Sequence, residues 1–170
     1  YLPTRAVVPT KAQLPTLAAE AYKLGVCHDS IRWYKRLRQI NKGMADQNIA
    51  DLGIARCFER QGRYTEALDL LNTLKKRNTP YLTQANKLRA HNLLLLAEQA
   101  QLRGNLDQSE AYLRTFFGQH RNQRSHERYA YLMRQQATLA GLKKGREDSS
   151  FDAPLRVGLL LPLTGYMSAV

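Results

Sequence analysis

A chain of 170 residues that is 44% hydrophobic and 24% charged has the make-up of a folded globular protein. It is long enough for one domain with a sizeable core and a fragment of another. Lys and Arg number 26 against 14 Asp and Glu, a formal net charge of +12 that favours anionic partners. This composition excludes a low-complexity or disordered chain, and the most apolar run, Val157 to Leu163, falls far short of the roughly 20 residues a membrane-spanning helix needs.

The basic excess is spread over residues 1–150 and is absent from 151–170. No charged, then apolar, then small-residue pattern opens the sequence, so the expectation is a cytoplasmic protein or one whose signal lies before Tyr1. Cys27 and Cys57 leave two readings open: a pair in an oxidising space, or two small buried thiols on helices.

Taken in chain order, the sequence is self-similar. The stretch PTLAAEAYKLGVCHDSIRWYKRL places Ala18, Ala21, Gly25, Ser30, Tyr34 and Leu37 at the same relative positions as Ala55, Phe58, Gly62, Ala67, Leu71 and Leu74 in the clearest unit, residues 48–81, with Cys27 where that unit has Tyr64. A third copy, NLLLLAEQAQLRGNLDQSEAYLRTF, carries Ala97, Ala100, Gly104, Leu106, Ser109, Leu113 and Phe116. The spacing predicts helix pairs in which small residues allow close approach at one crossing and large ones fill the gaps beside it. Glycine supplies the left-handed conformation that ends each first helix. Longer helices or loops are expected around residues 42–47 and 77–84, and Ser125 to Leu142 reads as a further amphipathic helix, with Tyr129, Met133, Ala137 and Ala140 at helical spacing, that caps the stack.

These units resemble the tetratricopeptide repeat. The resemblance covers residues 11–142 and implies an all-α domain, a right-handed helical solenoid of about three helix pairs plus a capping helix. It also implies a protein-binding concave face built from the first helix of each pair. The matching positions are Tyr22, Lys23, Arg56, Glu59, Arg60, Glu98 and Gln101. Solvated helix surface is the plainer account of any one of them.

Beyond Leu142 the polar stretch KKGREDSSFDAP reads as a linker, 143–154. In 155–170 the short apolar run closed by Pro162 and Gly165 reads as a strand buried on both faces, with a buried helix as the rival. The segment VGLLLPLTG resembles the opening strand and loop of type I periplasmic-binding-protein domains, here incomplete, which would bring Leu163, Thr164 and Gly165 towards a ligand cleft.

Helical repeats followed by such a strand resemble the penicillin-binding-protein activator lipoproteins of LpoA type. That resemblance implies a periplasmic protein, anchored to the outer membrane by a lipidated cysteine not found in this sequence, that binds and activates a class A penicillin-binding protein, a peptidoglycan synthase. Peptidoglycan itself is a second possible partner.

The sequence offers little chemistry. His28, His91, His120 and His126 form no metal-ligand pattern, and no glycine-rich phosphate loop is present, so neither a cofactor nor a metal nor enzymatic activity is expected. One stretch points elsewhere. In RWYKRLRQINK, Arg32, Lys35, Arg36, Arg38 and Lys42 accompany Trp33 and Tyr34, a combination that can bind nucleic acid. The alternative is therefore a cytoplasmic adaptor for nucleic acid or an acidic protein. Against it, Trp33, Tyr34, Leu37 and Ile40 follow a helical stripe that would face a neighbouring helix.

Overall fold

The computed structural model describes residues 9–77, 79–120 and 126–148. The expected C-terminal strand, with Leu163, Thr164 and Gly165, lies outside the described residues. A short 3-10 turn, Lys11–Gln13, leads into seven described helices: α1 Leu14–Lys23, α2 Cys27–Ile40, α3 Met44–Arg60, α4 Tyr64–Lys76, α5 Leu82–Leu102, α6 Leu106–Gln119 and α7 His126–Asp148. All regular structure among the described residues is helical.

Three of the connections share one construction. Gly25, Gly62 and Gly104 have φ of 83°, 75° and 73°. The glycine N–H donates to the carbonyl three residues back, that of Tyr22, Glu59 or Gln101, at 3.0, 2.9 and 2.9 Å. The next N–H, from Val26, Arg63 or Asn105, donates to the carbonyl five back, that of Ala21, Phe58 or Ala100, at 2.9, 2.8 and 2.9 Å. This is the Schellman closure, which satisfies carbonyls the helix end would otherwise leave open and which needs a left-handed residue at its pivot. The chain therefore reverses in the same way after α1, α3 and α5.

Each helix packs on the next in sequence, and the first helix of each pair also touches the first helix of the following one: α1 with α3, α3 with α5, α5 with α7. Such repeat-like packing is consistent with a helical solenoid. The apolar interior is divided accordingly. Leu14, Ala18, Tyr34, Leu37, Ala50 and Ile54 form one cluster among α1, α2 and α3. Leu52, Ala55, Ala67, Leu71, Leu74 and Ala85 form the next among α3, α4 and α5. A third, containing Leu68, Leu93, Leu94, Leu113, Phe116 and Leu132, runs from α4 to α7. Fully burying a leucine in such a cluster contributes about 1.5–3 kcal/mol. Because α3 and α5 have neighbours on several sides, they bury residues around most of their circumference.

Two contacts fix how closely the helices approach. The ring of Tyr34 lies so near the α3 backbone that a Cβ at Gly53 would sit 2.2 Å from its Cε2. On the same helix Asp51, only 1% exposed, receives Arg38 from α2 at 3.2 Å and Arg77 from the end of α4 at 2.9 Å. A buried carboxylate is costly unless paired, so this arrangement joins three helices through one group.

Several expectations are corrected. Ile40 is 50% exposed at the last turn of α2, so the apolar stripe through Trp33, Tyr34 and Leu37 ends one turn early. Around residues 42–47 and 77–84, where longer helices or loops are expected, the long helices α3, from Met44, and α5, from Leu82, begin. On α7, Met133, Ala137 and Ala140 are exposed, whereas Tyr129, Leu132 and Gln136 face the protein. The inward face includes a glutamine because its amide is used in hydrogen bonds, so apolar spacing alone found Tyr129 but missed Leu132 and Gln136. Helix α7 also continues to Asp148. Lys143, Lys144, Arg146 and Glu147 are good helix formers that carry no apolar stripe.

Gly53→Ala should force Tyr34 out of place and cost about 1–3 kcal/mol by overpacking, read as a lower thermal midpoint; unchanged stability would contradict the close approach of α2 and α3. A second expectation concerns pH. His120 ends α6 beside Phe116, its ring centroid 5.7 Å away. Burial, with the cations Arg89 and Lys75 nearby, holds its imidazole down at about 4, from an ordinary 6.5. The unfolded chain therefore takes up a proton that the folded imidazole refuses, and stability present above about pH 6.5 is lost as pH falls towards 4. Denaturant titrations should show a loss of about 1–2 kcal/mol between pH 6.5 and 5 from this group, and a smaller loss in His120→Gln.

Candidate functional site

The first helices of the three pairs, α1, α3 and α5, carry all seven candidate residues, and the structure brings most of them into contact with a neighbouring first helix or α7. Arg60 of α3 donates through Nη1 to the Tyr22 carbonyl at 2.8 Å, and its guanidinium lies 5.7 Å from the Tyr22 ring. It thereby holds the end of α1 beside the Gly25 turn. Arg56 donates to Gln84 Oε1 of α5 at 3.1 Å. Glu59 accepts from Asn92 Nδ2 at 2.5 Å and lies 3.3 Å from His91 Nδ1, both on α5. Glu98 of α5 accepts from Arg128 of α7 at 2.5 Å.

Gln101 is 7% exposed and turns inward. Its Nε2 donates to the Leu132 carbonyl at 2.9 Å and to Gln136 Oε1 at 3.1 Å, while Gln136 Nε2 donates to the Leu106 carbonyl at 2.7 Å. These amides tie α5, α6 and α7 together. Lys23 is exposed at the end of α1 and bonds to nothing among the described residues. Of the seven, six therefore take part in bridges between helices, and Lys23 alone faces solvent without a partner there.

The charge left on this face is uneven. Arg56 and Arg60 are exposed and spend their hydrogen bonds on neutral oxygens, so among the described residues neither they nor Lys23 meets a carboxylate. The α1–α3 end is thus net basic. Towards α5 and α7 the acids Glu59 and Glu98 are each matched by His91, Asn92 or Arg128. Exposed ion pairs of this kind add about 0–1 kcal/mol each, so their main effect is on register.

Sequence reasoning missed the partners Gln84, His91, Asn92, Arg128 and Gln136. No local pattern marks them, because the register of α5 against α3, and of α7 against α5, arises only when the helices stack. The basic and aromatic stretch on α2 forms no stacking platform. Tyr34 is buried, Trp33 packs against the first cluster with Arg32 4.7 Å from its ring, and Arg38 is engaged by Asp51. A surface depression on this helix is lined by Lys35, Arg38 and Gln39.

Among the described residues no group of three or more His, Cys, Asp or Glu could hold a metal ion, and no helix is long and apolar enough to cross a membrane. Comparison with protein-family models, with curated proteins and with solved structures found no match.

Replacing Gln101 by Leu removes the amide that joins α5 to α7 and leaves the Leu132 carbonyl and Gln136 without it. The expected cost is about 1–3 kcal/mol, and backbone amides of α7 should exchange with solvent faster than those of α3. Equal protection of α7 in both proteins would refute the role given to this network.

Proposed function

We propose that this chain is the helical-repeat arm of a cell-envelope regulator, a non-catalytic solenoid that binds a protein partner along the face of its first helices and thereby activates a peptidoglycan synthase. The carrying observation is the shared face of α1, α3 and α5, held in register by Arg60, Arg56 and Glu59 and left basic at one end by Lys23, Arg56 and Arg60. A stiff face with unmatched cations suits a partner segment that carries acidic side chains, because little ordering is needed on binding and like-charged competitors are rejected. The resemblance of the repeats to tetratricopeptides, and of VGLLLPLTG to the first strand of a periplasmic-binding-protein domain, supplies the choice of a class A penicillin-binding protein as partner and of the periplasm as location. A lipid anchor preceding this sequence belongs to the same proposal.

The rival, a nucleic-acid adaptor, retains only the net charge in its favour, since Trp33 and Tyr34 are occupied by packing. Pull-down of purified class A synthases and of isolated peptidoglycan should capture the synthase at low salt. Lys23→Glu combined with Arg56→Glu should weaken capture about tenfold. Capture of neither, with tight and steeply salt-dependent binding of single-stranded RNA instead, would favour the rival.

A further inference from the structure

Helix α2 crowds its charge on one side. Arg32, Lys35, Arg36 and Gln39 recur at i, i+3, i+4 and i+7, all exposed, on the face opposite the buried Ser30, Tyr34 and Leu37. The one acid of the helix, Asp29, lies 3.7 Å from Arg32, whereas Lys35 and Arg36 meet no partner among the described residues. Arg38, on the flank of this face, lies 3.2 Å from Asp51, but the same carboxylate also holds Arg77 at 2.9 Å, so one of these two positive charges is left uncompensated. Arg38 remains exposed and, with Lys35 and Gln39, lines a surface depression of about 400 Å³. Two cationic donors and an amide N–H around an open depression suit the oxygens of a phosphate.

The same helix has aliphatic side chains in the open at both ends. Leu24 and Val26 are exposed in the turn that precedes it, and Ile40, half exposed, stands one turn beyond Arg36 at the edge of the charged face. A nucleic acid would use the cations, but the rings on which its bases would stack, Trp33 and Tyr34, are packed into the first cluster, and the aliphatic groups offer it nothing. A lipid surface uses both, the phosphates against the cations and the acyl boundary against the aliphatic groups.

We propose that the outer face of α2 is a docking surface for an anionic phospholipid membrane. A lipid phosphate sits among Lys35, Arg38 and Gln39, Arg32 and Arg36 face neighbouring headgroups, and Ile40 enters the acyl boundary. The helix is about 21 Å long and mostly polar, so it lies along the interface rather than crossing it. This face belongs to a second helix, and its role does not rest on the partner proposed for the first helices.

The experiment sediments the protein with vesicles of phosphatidylcholine mixed with phosphatidylglycerol and, separately, with vesicles of phosphatidylcholine alone. Binding is expected to the anionic vesicles only and to weaken as salt is added. Lys35→Gln combined with Arg36→Gln should weaken it about twentyfold, and Ile40→Ser about fivefold. These side chains are exposed, so thermal midpoints should stay near that of the parent protein. Lys87→Gln combined with Arg103→Gln removes the same charge from exposed positions on and just after α5 and should change binding less than threefold. Inorganic phosphate matched to the lipid phosphate should not displace the protein. Failure to sediment with anionic vesicles, with or without binding of single-stranded RNA instead, would overturn the proposal. So would equal binding to phosphatidylcholine alone, equal losses in the two double variants, or displacement by inorganic phosphate.

Discussion

The chain reversals at Gly25, Gly62 and Gly104 govern everything that follows, because a left-handed pivot with two closing hydrogen bonds sends each second helix back along the first. Once a pair is formed, the small residues on its inner side, such as Ala55 with Ala67, let the two helices meet, while the remaining apolar surface has nowhere to go but against the next pair. The interior is consequently a succession of clusters rather than one core. Helices α3 and α5 each contribute to two of them, which is why these two helices have buried residues on nearly every side.

Apolar burial is indifferent to small slides of one helix along another; directional bonds are not. The polar bridges between first helices supply that direction: Arg60 to the Tyr22 carbonyl, Glu59 to Asn92, and Gln101 to the α7 backbone. The candidate residues of this face are therefore largely the residues that set the spacing of the helices. A face built in this way gains rigidity at the expense of freely available polar groups, and the exceptions, Lys23 and the unmatched guanidiniums of Arg56 and Arg60, concentrate its charge at one end.

Much of this was legible in advance. The three turn glycines, the alanines at the crossings and the leucines at Leu71, Leu74 and Leu113 follow from local rules, since glycine pivots and helical spacing are properties of short stretches. Positions whose neighbours come from afar were not legible. Gln136 is turned inward by bonds to Gln101 and Leu106, Gly53 is required by the ring of Tyr34, and Ile40 is exposed because nothing stacks on the last turn of α2. The candidate site residues were placed by sequence on the first helices α1, α3 and α5, whereas which of them bridge helices was a matter of tertiary register.

The uneven fastening of the helices has a mechanical side. At Asp51 three helices converge on one buried carboxylate, so tension arriving at α2 or α4 is shared by ionic contacts that resist both stretch and shear. At the other end α7 is held to α5 and α6 by Leu132 and Tyr129, by Arg128 and by a few amides, with Leu139 and Leu142 facing outward. The stack is thus fastened more firmly around α3 than at α7, and local opening would begin with that last helix.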